Sequence, residues 1–156
     1  MGKEIGIGII GLGTVGASVA EILATRADLL ERRAGARLRV TCVCDRGVSQ
    51  RGEALPAHVP AGVKVAASPA ELACDESVDI VIELIGGLDA AREAILAAIE
   101  AGKPVITANK HLLAVQGDEI FEKAEAKGVS VGFEAAVAGG IPILNAIRAG
   151  IGGDEI

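Results

Sequence analysis

Apolar residues fall along this chain in short continuous runs separated by segments of helical period, and that alternation is the first structural signal. Residues 5–10 (IGIGII) form the first run and predict a buried strand, with Gly11 to Gly16 as the turn behind it. From Val15 to about residue 33 the apolar positions Val15, Val19, Ile22, Leu23, Leu29 and Leu30 follow helical spacing and predict one helix. Residues 38–44 (LRVTCVC) read as a second strand ending at Asp45. Residues 46–62 are rich in Gly, Pro and charge and read mostly as loop, with at most a turn of helix. A short third strand is expected at 63–66, then a helix opened by Ser68-Pro69, where Ser caps and Pro fits the first turn.

The second half repeats the alternation. Residues 79–85 (DIVIELI) predict a strand, and Asp89 is read as the cap of a helix that Gly102 stops. Residues 104–107 predict a fifth strand. Helix resumes at Asn109 or Lys110, is broken near Gln116-Gly117 and ends at Gly128. Residues 129–133 form a sixth strand, Gly139-Gly140 a loop, and Pro142 starts a last helix to about residue 149. The tail IGGDEI receives no assignment. Strands that are apolar throughout need cover on both faces, and strands alternating with helices pair in parallel. The expected fold is therefore α/β: a Rossmann-type, doubly wound, mostly parallel sheet with helices on both faces, forming one domain over residues 1–156.

Composition narrows this picture. Hydrophobic residues make up 51% of the 156 but aromatics only 1%, so the core must be built from Ala, Val, Ile and Leu. The net charge of −6 comes with no basic stripe, which argues against a nucleic-acid surface. No apolar run approaches the ~20 residues a membrane helix needs. The expected setting is cytoplasmic, without a membrane or nucleic-acid partner. Cys42, Cys44 and Cys74 show no metal-site spacing and read as small hydrophobes in a reducing compartment.

The chemistry is carried by turns at strand ends. Gly11-Leu12-Gly13-Thr14-Val15-Gly16 is a G-x-G-x-x-G between a strand and a helix, the context that a dinucleotide-binding turn requires. Gly11 permits the tight turn, Gly13 lets backbone approach a diphosphate, and Gly16 lets helix and strand pack closely. The free amides of the helix start then face the phosphates. Asp45, 29 residues past Gly16 rather than the usual ~20, ends the second strand, where an acid can bond the adenosine ribose of NAD. Arg46 follows it, and an Arg there can hold the 2′-phosphate of NADP, so the preference between NAD and NADP stays open.

Further along, Ile85-Gly86-Gly87 and Thr107-Ala108-Asn109-Lys110 also occupy strand ends, on the crevice side of a parallel sheet. The Lys110 ammonium there can reach a substrate oxygen, a ribose or a phosphate, while Thr107 and Asn109 supply hydrogen bonds and a helix cap. Glu83, inside an apolar strand, must either find a partner or reach the crevice. Glu134 precedes a Gly-rich turn, an arrangement equally suited to a hard cation and to a plain hydrogen-bonded turn. His58 and His111 have no partner motif and read as solvent-facing.

GLGTVG, VIELIGG, the TANK of VITANKHLLA and FEAAVAGGIP, with their spacing, resemble homoserine dehydrogenase from about Ile5 to Ile147. That resemblance implies reduction of aspartate 4-semialdehyde to homoserine with NADH or NADPH, in threonine and methionine biosynthesis. It implies that Leu12, Gly13, Thr14 and Val15 lie against the diphosphate, with Gly86 and Thr107 on the nicotinamide side. It implies that Lys110 is the lysine near cofactor and substrate, and that Glu134, Val137, Gly139 and Ile141 hold a sodium ion. In that family a second domain carries the substrate-binding acids, the proton-donating lysine and the interface of a homo-oligomer. This chain has no counterpart for it, so it is expected to be a truncated form that binds cofactor with little turnover. A second enzyme reading is another small-substrate NAD(P) oxidoreductase, such as the sugar-oxidoreductase group, whose chains commonly carry an E-K-P-type motif after the strand that here reads PVITANK; this sequence lacks it. A free-standing Rossmann regulatory module is the reading from a different class, and an open reading frame continuing past Ile156 would count against it.

Overall fold

The computed structural model describes residues 2–150. Strand β1 (Glu4–Ile10) is followed by α1 (Thr14–Thr25), α2 (Ala27–Ala34), β2 (Arg37–Cys44), α3 (Arg46–Arg51), β3 (Lys64–Val65) and α4 (Pro69–Cys74). Then come β4 (Ile80–Glu83), α5 (Asp89–Glu100), β5 (Val105–Thr107), α6 (Lys110–Lys127), β6 (Val131–Gly132), a 3-10 turn (Glu134–Ala136) and α7 (Ile143–Gly150). All six strands pair in parallel in the order β3-β2-β1-β4-β5-β6. Two right-handed halves wound outward from β1 give this order, and the winding reverses between β1 and β4.

Alternation along the strands divides the core in two. Ile7, Ile9, Val40, Val43 and Ile82 face α1, where Ala20 is fully buried. Ile10, Cys42, Cys44, Val81 and Val105 face α4, α5 and α6, which contribute Leu72, Ile95, Ile99, Leu112 and Ile120. Cover is fuller on this second face: on the first, Ile106 of β5 is 40% exposed. Among the described residues no helix is long and apolar enough to cross a membrane.

Several expected boundaries shift, each for a local reason. The single helix expected over 15–33 is two helices, because Arg26 leaves helical geometry (φ −110°, ψ 16°) with neither Gly nor Pro to announce it. Residues 46–51, expected mostly as loop, form α3: the Asp45 carboxylate accepts from the Gly47 and Val48 amides, and Gly52 closes the helix in a left-handed conformation. Leu88 rather than Asp89 is the N-cap of α5, and Asp89 contributes only a charge to its first turn. Strands β3, β4 and β6 are shorter than their apolar runs: β4 stops at Glu83 where β1 ends at Ile10, while β3 and β6 pair over two residues each at the two edges of the sheet. The break expected near Gln116-Gly117 is a kink at Gln116 inside a continuous α6. Residues 151–156 lie outside the described residues.

Candidate functional site

The turn from β1 to α1 is shaped by two glycines. Gly11 has φ +94° and donates its amide to the Cys44 carbonyl at 2.8 Å, which ends β1 beside β2. A Cβ on Gly16 would lie 1.9 Å from the Gly11 carbonyl oxygen, so only hydrogen fits where α1 crosses the turn. Gly13 is different. It is the N-cap of α1, no side chain caps the helix, and a Cβ built on it meets nothing within 4 Å. The amides of Gly13, Thr14, Val15 and Gly16 donate to no protein acceptor among the described residues. The positive end of the helix dipole and a set of donors without partners among the described residues therefore face open space over bare backbone, a ready anion site.

Asp45 braces this turn from the end of β2. Its Oδ2 accepts from the Leu12 amide at 2.9 Å, and its Oδ1 from Gly47 at 2.7 Å and more weakly from Val48 at 3.4 Å. Burial pushes its carboxyl pKa up, but the amides of Leu12, Gly47 and Val48 outweigh that and hold it below the usual carboxylate range. One residue thus joins the glycine turn to α3, a role that the sequence reading of Asp45 as a ribose ligand missed. An acid three residues before a helical Val, with Gly52 after it, was the available signal. Arg46 beside it is exposed.

Across the winding reversal, the ends of β4 and β5 form one hydrogen-bonded unit. Glu83 is fully buried. Its Oε1 accepts from the Ile85 amide at 2.8 Å and the Gly86 amide at 3.3 Å, and its Oε2 accepts from the Thr107 hydroxyl at 2.6 Å. Thr107 Oγ1 in turn accepts from the Asn109 amide at 3.0 Å. The Asn109 side chain caps α6 through the Leu112 amide at 3.1 Å and donates to the Gly87 carbonyl at 2.7 Å. Of the two roles open to Glu83 from sequence, the structure supplies both: it has partners, and it lines the crevice.

These strand ends and α1 enclose a cleft of about 280 Å³ lined by Val15, Glu83, Gly86, Asn109, Lys110 and His111. Gly86, Lys110 and the first turn of α1 are therefore brought together as expected, and buried Thr107 lies just beneath, reaching the cleft through Glu83 and Asn109. Lys110 and Arg46 make no ion pair among the described residues. His111 is exposed, as expected, but stands in the cleft wall, a placement that the lack of a partner motif had hidden.

Glu134, Val137, Gly139 and Ile141 belong to a different turn, between β6 and α7. Glu134 Oε1 accepts from the Leu144 amide at 3.1 Å, tying the 3-10 turn to α7. Ala138 and Gly139 are both left-handed, with φ +54° and +61°. The carbonyls of Val137 and Gly139 accept no hydrogen bond among the described residues, while the Ile141 carbonyl accepts one from the Ile143 amide at 2.8 Å. No group of three or more His, Cys, Asp or Glu gathers at one point among the described residues.

Residues 11–134 match the family model described as the NAD-binding domain of homoserine dehydrogenase. The homoserine dehydrogenase of Neisseria gonorrhoeae is 46% identical over 154 residues, spanning 99% of this chain and 34% of the relative; that of Bacillus subtilis is 36% identical, spanning 99% and 35%. A crystal structure of a homoserine dehydrogenase from Thiobacillus denitrificans superposes with a TM-score of 0.84 at 47% identity, covering 96% of this chain and 34% of that one. A hyperthermophilic archaeal homoserine dehydrogenase in complex with NADPH gives 0.73 at 27% identity, covering 94% and 48%. The chain spans about a third of the length of the curated relatives it matches.

Proposed function

The chain belongs to the homoserine dehydrogenase family, of which it carries the NAD-binding domain, and on that premise we propose that it holds the cofactor for reduction of aspartate 4-semialdehyde to homoserine. The observation that carries this reading is the set of unpartnered amides around Gly13, where a Cβ would meet nothing within 4 Å, next to a cleft edged by Lys110. A diphosphate matches these donors in charge, and the missing side chain at Gly13 leaves room for it to approach the backbone. When bound, the dihydronicotinamide supplies a hydride to the aldehyde carbon while the aldehyde oxygen takes up a proton.

The chain's own residues orient and hold. Gly13, Thr14, Val15 and Gly16 present amides to the diphosphate, with Leu12 fixed in place by Asp45. Gly86 offers bare backbone to the nicotinamide half, and Thr107 supports it from below. Lys110, exposed and free of ion pairs among the described residues, supplies the positive charge for a cofactor or substrate oxygen at that end. At the adenosine end, Asp45 Oδ2 accepts a single amide hydrogen and keeps a lone pair for a ribose hydroxyl, with Arg46 as the exposed charge beside it. Arg46 reads a 2′-phosphate, so NADPH is accepted along with NADH. At the β6–α7 turn, Glu134 Oε2 and the carbonyls of Val137 and Gly139 have no hydrogen-bond partner among the described residues. With the Ile141 carbonyl these hard oxygens suit sodium, which would brace the turn.

The test is titration of the purified chain with NADH and NADPH, followed by nicotinamide fluorescence, for the parent and for Arg46→Ala. Saturable binding of both, with NADPH alone weakened by the substitution, is expected. Absence of binding overturns the cofactor role, and equal losses for the two cofactors remove Arg46 as phosphate reader. For the reaction, NADPH oxidation by this domain joined to the remaining length of a family relative should require aspartate 4-semialdehyde.

A further inference from the structure

Glu83 is a buried carboxylate that the proposed chemistry leaves without a step, yet it touches both strand ends at the nicotinamide side of the cleft. Its surroundings are those of a hub. Oε1 gathers the amides of Ile85 and Gly86, and Oε2 takes the Thr107 hydroxyl from the neighbouring strand. The loop it holds contains two successive left-handed residues, Gly86 (φ +67°) and Gly87 (φ +76°), and neither is packed: a Cβ on either would meet nothing within 4 Å. Packing therefore does not define this loop. The hydrogen bonds from Glu83, together with the Asn109 side chain on the Gly87 carbonyl, define it.

We infer that Glu83 is a positioning residue that locks the Gly86-Gly87 loop and the Thr107–Lys110 segment into one rigid wall, so that the nicotinamide half of the dinucleotide meets a preformed surface. The adenosine half rests on the β1 and β2 ends, which no side-chain hydrogen bond among the described residues joins to this network. A buried carboxylate with all of its partners in place rigidifies its surroundings, whereas removing it leaves two loop amides and a hydroxyl without acceptors. The inference rests on the dinucleotide reading of the cleft.

The test separates the two halves of the ligand. NADH and NADPH report on the whole cleft, and ADP on the adenosine half alone. Binding is measured for the parent, Glu83→Ala, Glu83→Gln and Thr107→Val, with thermal melts to establish folding. Glu83→Ala and Thr107→Val should weaken the dinucleotides about tenfold, the scale of one lost charge-assisted hydrogen bond, and leave ADP within about twofold of the parent. Glu83→Gln should fall between the parent and Glu83→Ala: its amide oxygen can accept from Ile85 and Gly86, but its NH2 replaces the acceptor of the Thr107 hydroxyl hydrogen, while Thr107 Oγ1 already accepts from Asn109. Where Glu83→Ala does not fold, Thr107→Val decides. Equal losses for ADP and dinucleotide, or no loss for either, overturn the positioning role, as does a Glu83→Gln variant as weak as Glu83→Ala. A parent that binds ADP and neither dinucleotide overturns the dinucleotide reading itself, which is a separate result.

Discussion

Replacing Gly13 by Ala adds one methyl to the turn that presents the diphosphate-facing amides. Gly13 has φ −63° and ψ −166°, an extended conformation open to any L residue, and the new Cβ touches nothing within 4 Å. Folding should barely register the change. Ala is a poorer N-cap than Gly by about 0.5–1 kcal/mol, and the stiffer unfolded chain returns about 0.4–1 kcal/mol. The melting temperature should therefore stay within about 3 °C of the parent. Binding should register it strongly. The methyl occupies space that the phosphates need, so the diphosphate must stand off and give up one or two amide contacts. At about 1.5–3 kcal/mol for each hydrogen bond to a charged group, the dissociation constant for NADPH should rise at least tenfold. Fluorescence titration with NADPH and a thermal melt on the same preparations give both numbers. A folded Gly13→Ala variant that binds NADPH within about twofold of the parent would refute the argument, because the diphosphate could not then lie against Gly13.

Three other outcomes follow from the same geometry. Gly16→Ala should destabilise rather than selectively impair binding: its Cβ would lie 1.9 Å from the Gly11 carbonyl, a backbone atom that cannot swing away, at a cost of about 1–3 kcal/mol; an unchanged melting temperature would contradict this. The Asp75 carboxyl is held well below its usual range by its hydrogen bonds to Lys64 and Ser77, so its contribution to stability is complete above its unfolded pKa of about 4 and is lost as pH falls through the depressed native value. Asp75→Asn should therefore melt below the parent at neutral pH and converge with it in strong acid, and a pH-independent difference would count against the pairing. Burial pushes the Cys44 thiol up to about 11 and raises Cys42 as well, while Cys74 is exposed. An aromatic disulfide reagent at mildly alkaline pH should thus titrate one thiol rapidly in the native chain and all three after denaturation.

How far the fold could be read in advance depended on whether its signals were local. The runs at 5–10 and 80–82 are apolar because both faces of a central strand are covered, and continuous apolarity needs no partner to be recognised. The glycine turn was legible for the same reason, since its function lies in the backbone and the spacing of Gly11, Gly13 and Gly16 encodes it directly. Helix α3 was hidden because Arg46–Arg51 has a polar, turn-like composition, and its formation depends on the Asp45 carboxylate reaching back over two amides. The break at Arg26 has no composition signal at all. Glu83 could only be flagged as an acid needing a partner, because that partner, Thr107, lies 24 residues on in the neighbouring strand and is fixed by the pairing of Glu83 with Thr107 in register. His111 joins the cleft only because the β4 loop folds toward the start of α6. Local geometry was readable, and contacts made by register were not.

The most direct measurement is an amide-resolved NMR titration of the chain with NADPH. Saturable shifts should concentrate at Gly13, Thr14, Val15 and Gly16 and extend to Gly86 and Lys110 across the winding reversal. Shifts confined to another face, such as the groove lined by Arg37 and His58, or no shift at millimolar nucleotide, would contradict the account.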